Sequence, residues 1–179
     1  MLNIRRFRSE DAQEVAAVVA QTLRISNRAD YSEAYLEASI QRMNPAFFIE
    51  KAKQTHFYLV CEGDKIVGTG AIGPYWGSET EFSFFDIFVL PAYQKRGIGK
   101  LIIQTLEHDP YFKKAHRVEI PASITAVNFY RHMGYAFKNG VQWWMINSFI
   151  DWKSFRSGSS TVLHELKLVS VGVSVKGRI

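Results

Sequence analysis

DIFVLPAYQKRGIGK, Asp86 to Lys100, is the stretch on which the reading of this chain turns. An apolar strand runs into a turn at Pro91, then a basic glycine loop, then a helix. Ile98, Leu101, Ile102, Thr105 and Leu106 recur at the i, i+3, i+4, i+7, i+8 spacing of a one-faced helix. That helix ends near Asp109, just before Pro110. A strand feeding a glycine loop at a helix N-terminus makes an anion site. The first-turn N–H groups lack intrahelical acceptors, and the helix dipole favours negative charge. Gly97 and Gly99 let backbone approach a phosphate closely, and Lys95, Arg96 and Lys100 add positive charge. The implied ligand carries a pyrophosphate.

A second segment, ASITAVNFYRHMGY from Ala122 to Tyr135, follows one further helix and strand. QKRGIG, led by Gln94, resembles the Q/R-x-x-G-x-G/A acyl-coenzyme A signature of the GCN5-related N-acetyltransferase (GNAT) superfamily. Val89-x-Pro91 resembles that family's lead-in, and the second segment is similar to its N-x-x-A-x-x-F-Y-x-x-x-G-F/Y motif. The resemblance covers roughly Met1 to Ser148. It implies an α/β (α+β) fold: a single domain whose mixed, mainly antiparallel sheet is splayed, with helices on both faces. Acyl-coenzyme A then lies where the two central strands separate. By the same resemblance, the backbone of Phe88 and Val89 binds the pantetheine. Gln94, Lys95, Arg96, Gly97, Ile98, Gly99 and Lys100 form the pyrophosphate loop, Ser123 contacts the ligand, and Tyr130 is the acid at the leaving sulfur. Ser123 departs from the motif, where asparagine is usual.

Working outward, 179 residues suit one domain with a substantial core. The 47% apolar and 22% charged content is that of an ordinary globular protein. A net charge of +5 suits a polyanionic ligand or simple solubility. No long Lys/Arg run marks a nucleic-acid partner, and no apolar run reaches the ~20 residues needed to span a bilayer. Cys61 is the single cysteine, so no intrachain disulfide forms, and HFYLVCEG reads as a buried strand. A cytoplasmic setting and a symmetric dimer are the default expectations.

The expected elements begin with a strand over 2–8 and a helix capped by Ser9 with Glu10 and Asp11 in its first turn. Helices over 32–43 and 47–53 follow, then strands 56–62 and 65–73 about a Gly63-Asp64 turn, then strand 81–90. After the glycine-loop helix come strand 116–122, helix 124–133 and a hairpin of strands 135–138 and 141–147 about Asn139-Gly140. Pro91 and Pro121 lack N–H donors and are expected to end pairing between the central strands. Residues 1–150 form the domain and 151–179 a tail. In the tail, Val169, Val171, Val173 and Val175 alternate with small residues, as in an added strand. The tail could add to a sheet edge, swap between subunits, or be foreign to the native chain. Both motifs lie upstream, so truncation after Ser157 is expected to spare coenzyme A binding.

Acetyl transfer to an amine needs a neutral amine, a polarised thioester carbonyl, and a proton or hydrogen bond for the leaving thiolate. Deprotonating an ammonium at pH 7 costs about 4 kcal/mol, so a base has work to do. Glu81 is the first choice for that base; Asp86, Glu119 and a water chain remain alternatives. Ser123, Ala126, Val127 and Tyr130 share one helix face. Arg24, Tyr31, Tyr35, Tyr75, Trp76, Trp143 and Trp144 could line an acceptor pocket or pack the core. GTGAIG, Gly68 to Gly73, matches a dinucleotide fingerprint but sits within a strand and precedes no helix, so it is set aside. The histidines show no metal-ligand spacing, and no metal is expected. The expected activity is acetyl transfer from acetyl-coenzyme A, as cosubstrate, to a primary amine. Alternatives are another acyl group or acceptor, and a non-catalytic acyl-coenzyme A sensor.

Overall fold

The computed structural model describes residues 1–75, 77–137, 144–145 and 168–174. The N-terminal half supplies β1 (Leu2–Arg6), α1 (Ala12–Ser26), α2 (Glu33–Arg42), α3 (Pro45–Gln54), β2 (His56–Glu62), β3 (Lys65–Pro74) and β4 (Glu81–Val89). The C-terminal half supplies α4 (Ile98–Glu107), α5 (Pro110–Lys114), β5 (Arg117–Ser123), α6 (Val127–His132), β6 (Ala136–Phe137), β7 (Trp144–Met145) and β8 (Leu168–Ser174). These strands make one mixed sheet in the order β1-β2-β3-β4-β5-β8-β6, with β7 also on β8. Every described pairing is antiparallel except β4 with β5.

Local chemistry sets the helix starts. Ser32 and Asn44 accept from the N–H of Tyr35 and Phe47 and cap α2 and α3. Ser9 is not the cap of the first helix. It begins a short 3₁₀ turn, and the Asp11 carboxylate accepts the Arg8 N–H at 2.7 Å. Asp11 also holds Arg5 through two bonds of 2.6 and 2.7 Å. That pairing, with Arg8, keeps its carboxyl below the usual range. A short helix, α5, was not expected; Asp109 caps it and Pro110 occupies its first turn.

Helices cover both faces. Gly68 and Gly70 of β3 face Ile98 and Ile102 of α4, while Gly73, of opposite parity, faces Gln54 and Thr55 at the end of α3. A side chain at Gly70 would collide with Ile102, so the glycines of GTGAIG serve helix-on-sheet packing. Val15, Val19, Phe48, Phe57, Phe82, Ile103 and Leu106 fill the core between these layers.

β4 and β5 pair only at Glu81–Arg117, Phe82–Val118 and Ser83–Glu119, and then separate. The prolines do not cause this. Pro91 follows β4, and Pro121 lies beyond the break, opposite Ser170 of β8. The cause is a bulge: the β3–β4 register shifts between Thr69 and Ala71, and Asp86 sits at φ +52°. An extra residue bends and twists a strand, here swinging β4 away from β5.

Of the alternating C-terminal valines, Val169, Val171 and Val173 lie in β8, which pairs along all of β5 and lies between β5 and β6. With that side of β8 filled, β6 and β7 share its other side, both antiparallel to it. They therefore run in the same direction, and the expected hairpin between them does not form at these residues. Its Asn139-Gly140 turn lies outside the described residues.

Candidate active site

The anion loop closes onto the N-terminus of α4. Gly97 takes φ +82° and Lys95 φ +61°, and Leu101 donates the first helical bond, to Gly97 O at 3.0 Å. The N–H groups of Ile98, Gly99 and Lys100 precede that bond and stand at the positive end of the dipole. Gln94, Lys95, Lys100 and Gly97 are exposed, whereas Ile98 is buried as the anchor of the helix. Arg96 is drawn aside: it donates to Glu62 at 3.0 Å and lies over the Tyr93 ring. Gly99 also has a packing task. A side chain there would meet the Phe129 ring at 3.0 Å, so its smallness lets α4 lie against α6.

Beyond Ser83 the gap-facing edge of β4 has no strand partner among the described residues. Leu90 N–H bonds to Val67 O on β3, so by alternation Phe88 turns its backbone to β3 and Val89 turns its own to the gap. Val89 O already receives Gln94 Nε2 at 3.1 Å, and Thr22 Oγ1, which donates to Val18 O at 2.7 Å, lies 3.4 Å from it.

Tyr130 is 4% exposed, and among the described residues nothing hydrogen-bonds its hydroxyl. Burial pushes its pKa well above the ordinary tyrosine value, so the proton stays on oxygen. Ser123 occupies the cap position of the 3₁₀ turn before α6, but its hydroxyl does not cap that turn. Ile124 N–H goes instead to the hydroxyl of Tyr31, 3.1 Å away.

The three carboxylates proposed for the base lie in different settings. Glu81 stands at the closed end of the ladder, opposite Arg117 and about 25 Å along β4 from Val89. Glu119 is buried in the last ladder pair and forms an ion pair with Arg117. Asp86 lies in the open part of β4. It is buried, Oδ2 has no hydrogen-bond partner among the described residues, and desolvation raises its pKa, opposed by Lys51.

Among the acceptor-pocket residues, Arg24 pairs with Glu37 and joins α1 to α2. Tyr31 and Tyr35 stack at 5.3 Å, and Tyr75 is half-buried. Trp76, Trp143 and the Trp144 side chain lie outside the described residues. Cys61 is buried, which raises its thiol pKa. His56, for which no carboxylate partner was expected, contacts Asp109 at 2.8 Å, together with Tyr58 at 2.7 Å. A cavity of about 410 Å³ adjoins that cluster, lined by Tyr58, Gln104, Thr105, His108, Asp109 and Pro110, at the C-terminal end of α4 and away from the gap. No group of three metal-ligating side chains occurs among the described residues, and no described helix is long and apolar enough to cross a membrane.

The contacts that tie the gap together were missed from sequence. Thr22, Ser26, Asn27, Asp30 and Tyr31 meet Val89, Gln94, Ile124 and Thr125 across 67 to 98 residues of chain. Nothing in their local pattern signals it.

A splayed sheet with a free helix N-terminus on one arm and a buried tyrosine on the other defines a class of acyl-coenzyme A-binding folds. The sequence model of the acetyltransferase (GNAT) family matches residues 20–135, well over half of the chain, and the chain belongs to that family. As a member it is an acyl-coenzyme A-dependent acyltransferase, with acyl-coenzyme A as cosubstrate. Solved structures share the fold. A GCN5-related N-acetyltransferase from Rhodopseudomonas palustris superposes with a TM-score of 0.73 at 20% identity, over 96% of this chain and 94% of that one. PaiA N-acetyltransferase from Thermoplasma acidophilum, in complex with coenzyme A, gives 0.71 at 13% identity, over 97% and 99%. A GNAT family acetyltransferase from Brucella melitensis, in complex with acetyl-coenzyme A, gives 0.56 at 22% identity, over 75% and 82%. No curated protein matches significantly.

Proposed function

We propose that the protein transfers an acetyl group from acetyl-coenzyme A to a primary amine by direct attack in a ternary complex. The observation that supports this is the β4–β5 gap, with the free N–H groups of α4 following one arm and buried Tyr130, on α6, following the other. The thioester supplies an activated acetyl group. Ile98, Gly99 and Lys100 N–H groups, with Lys95 and Lys100 side chains, hold the pyrophosphate. Val89 directs backbone groups along the pantetheine, exchanging its bond from Gln94. Tyr130, which keeps its proton, donates a hydrogen bond to the sulfur as it leaves. No nucleophilic side chain is needed, and buried Cys61 stays a core residue.

The ammonium of the acceptor must lose a proton. Between Glu81 and Asp86, the position of Asp86 in the open part of β4 and its unpaired oxygen favour Asp86. A cytoplasmic setting belongs to the same proposal.

The experiment is free-thiol release from acetyl-coenzyme A against a panel of amines, with Tyr130→Phe in parallel. Amine-dependent turnover is expected, slowed about 10²-fold or more in the variant. Turnover that survives the substitution overturns the role of Tyr130. Tight binding without turnover on any amine points to a binding module, and no binding overturns the loop assignment.

A further inference from the structure

One continuous segment, Thr22–Tyr31, touches both arms of the gap. On the β4 arm, Thr22 Oγ1 lies 3.4 Å from Val89 O, and Gln94 Nε2 donates to Ser26 Oγ at 2.8 Å. On the β5 arm, Asn27 Nδ2 reaches Thr125 Oγ1 at 3.4 Å, and the Thr125 hydroxyl donates to Asp30 Oδ2 at 2.5 Å. Ile124 N–H donates to the Tyr31 hydroxyl at 3.1 Å. Thr22 and Asn27 are buried, and burial pushes the Tyr31 hydroxyl up to about 12. The ring of Tyr31 is held by stacking on Tyr35. Both sides of the segment are therefore built into the fold.

The geometry has a consequence for the site. No ladder bond sets the separation of β4 and β5 beyond Ser83 and Glu119. On the α4 face the two arms meet through the Gly99–Phe129 contact. On the α1 face they meet through Thr22–Tyr31. The 123–125 turn that Tyr31 and Asp30 hold leads directly into α6 and Tyr130. A turn released from those bonds is free to move outward, taking the tyrosine with it.

We propose that Thr22–Tyr31 is a spacer that sets the width of the gap, and that Tyr31 and Thr125 are positioning residues that restrict the acyl group to a short one. This rests on the acyltransferase reading above. The test compares acetyl- and butyryl-coenzyme A as donors in thiol release, with the amine at saturation, for the wild type and for Tyr31→Phe, Thr125→Val and Thr125→Ser. The expected result is a ratio of kcat/KM, butyryl over acetyl, raised about fivefold or more in Tyr31→Phe, which gives up the bond from Ile124 N–H, and in Thr125→Val, which gives up those to Asp30 and Asn27. Thr125→Ser keeps the hydroxyl and is expected to restore the wild-type ratio. A spacer also couples its two ends, so Ser26→Ala combined with Tyr31→Phe should deviate from additivity in that ratio. Melting temperatures report whether a variant merely loosens the fold. Variants that melt earlier but keep the wild-type donor ratio overturn the spacer. A wild type that turns over neither donor and binds neither overturns the acyltransferase reading, and the spacer with it.

Discussion

Asp86 combines a left-handed backbone, a strand bulge and a buried carboxylate with one unpaired oxygen. Strain and desolvation of this kind persist where function retains them. Burial raises its folded pKa above the ordinary 3.8. Between those two values the native state holds more protons than the unfolded chain, so stability falls as pH rises through that window. Asp86→Asn is therefore expected to be more stable than wild type at pH 8 and equal to it at pH 3, checked by urea denaturation at both. If Asp86 accepts the ammonium proton, the same variant loses the rise of kcat with pH, while Glu81→Gln keeps it; a pH–rate profile of the three proteins decides. The two loop glycines separate in the same residue-level way. Gly97→Ala, at φ +82° in open space, is expected to cost about 1 kcal/mol through its backbone alone. Gly99→Ala must displace Phe129 and is expected to cost about 1–3 kcal/mol and to slow turnover by shifting α6. Denaturant titration and kcat separate the two.

Among the elements, β8 changes the most between sequence and structure. Its alternation marks a strand, but nothing in residues 168–174 says which strand receives it. In the sheet it lies against every residue of β5, the strand that leads into Ser123 and Tyr130. Truncation after Ser157, expected from motif positions alone to be harmless, would bare that whole edge. The truncated protein is now expected to lose cooperative unfolding and to aggregate, measured by thermal melt and light scattering. Retained melting and coenzyme A affinity would return β8 to a dispensable role. α5 went unread for a related reason: Asp109-Pro110 is a stop signal for α4 and a start signal for the next helix, and the local pattern does not distinguish them.

For the whole molecule, a ligand that bridges both arms binds only the folded chain. Coenzyme A at a hundredfold excess over its Kd is expected to stabilise by about 2.7 kcal/mol. For a chain of this size that raises Tm by about 5–10 °C, readable by calorimetry. An unchanged Tm at millimolar coenzyme A would mean that the gap is not its site. The sequence by itself determined what depends on neighbours in the chain. Periodicity over Ile98–Leu106 placed α4, apolar runs about the Gly63-Asp64 turn placed β2 and β3, and the resemblance carried by QKRGIG and ASITAVNFYRHMGY pointed to the family. Tertiary structure decided what depends on residues far apart. The bulge at Asp86 opens the sheet, where the prolines were expected to do so. Gly99 yields to Phe129, β8 enters between β5 and β6, and Tyr31 reaches Ile124 across 93 positions. Hydrophobic period and turn chemistry act over a few residues and are written locally. The width of a gap between two strands is set by whatever spans it, and only the folded chain brings those groups together.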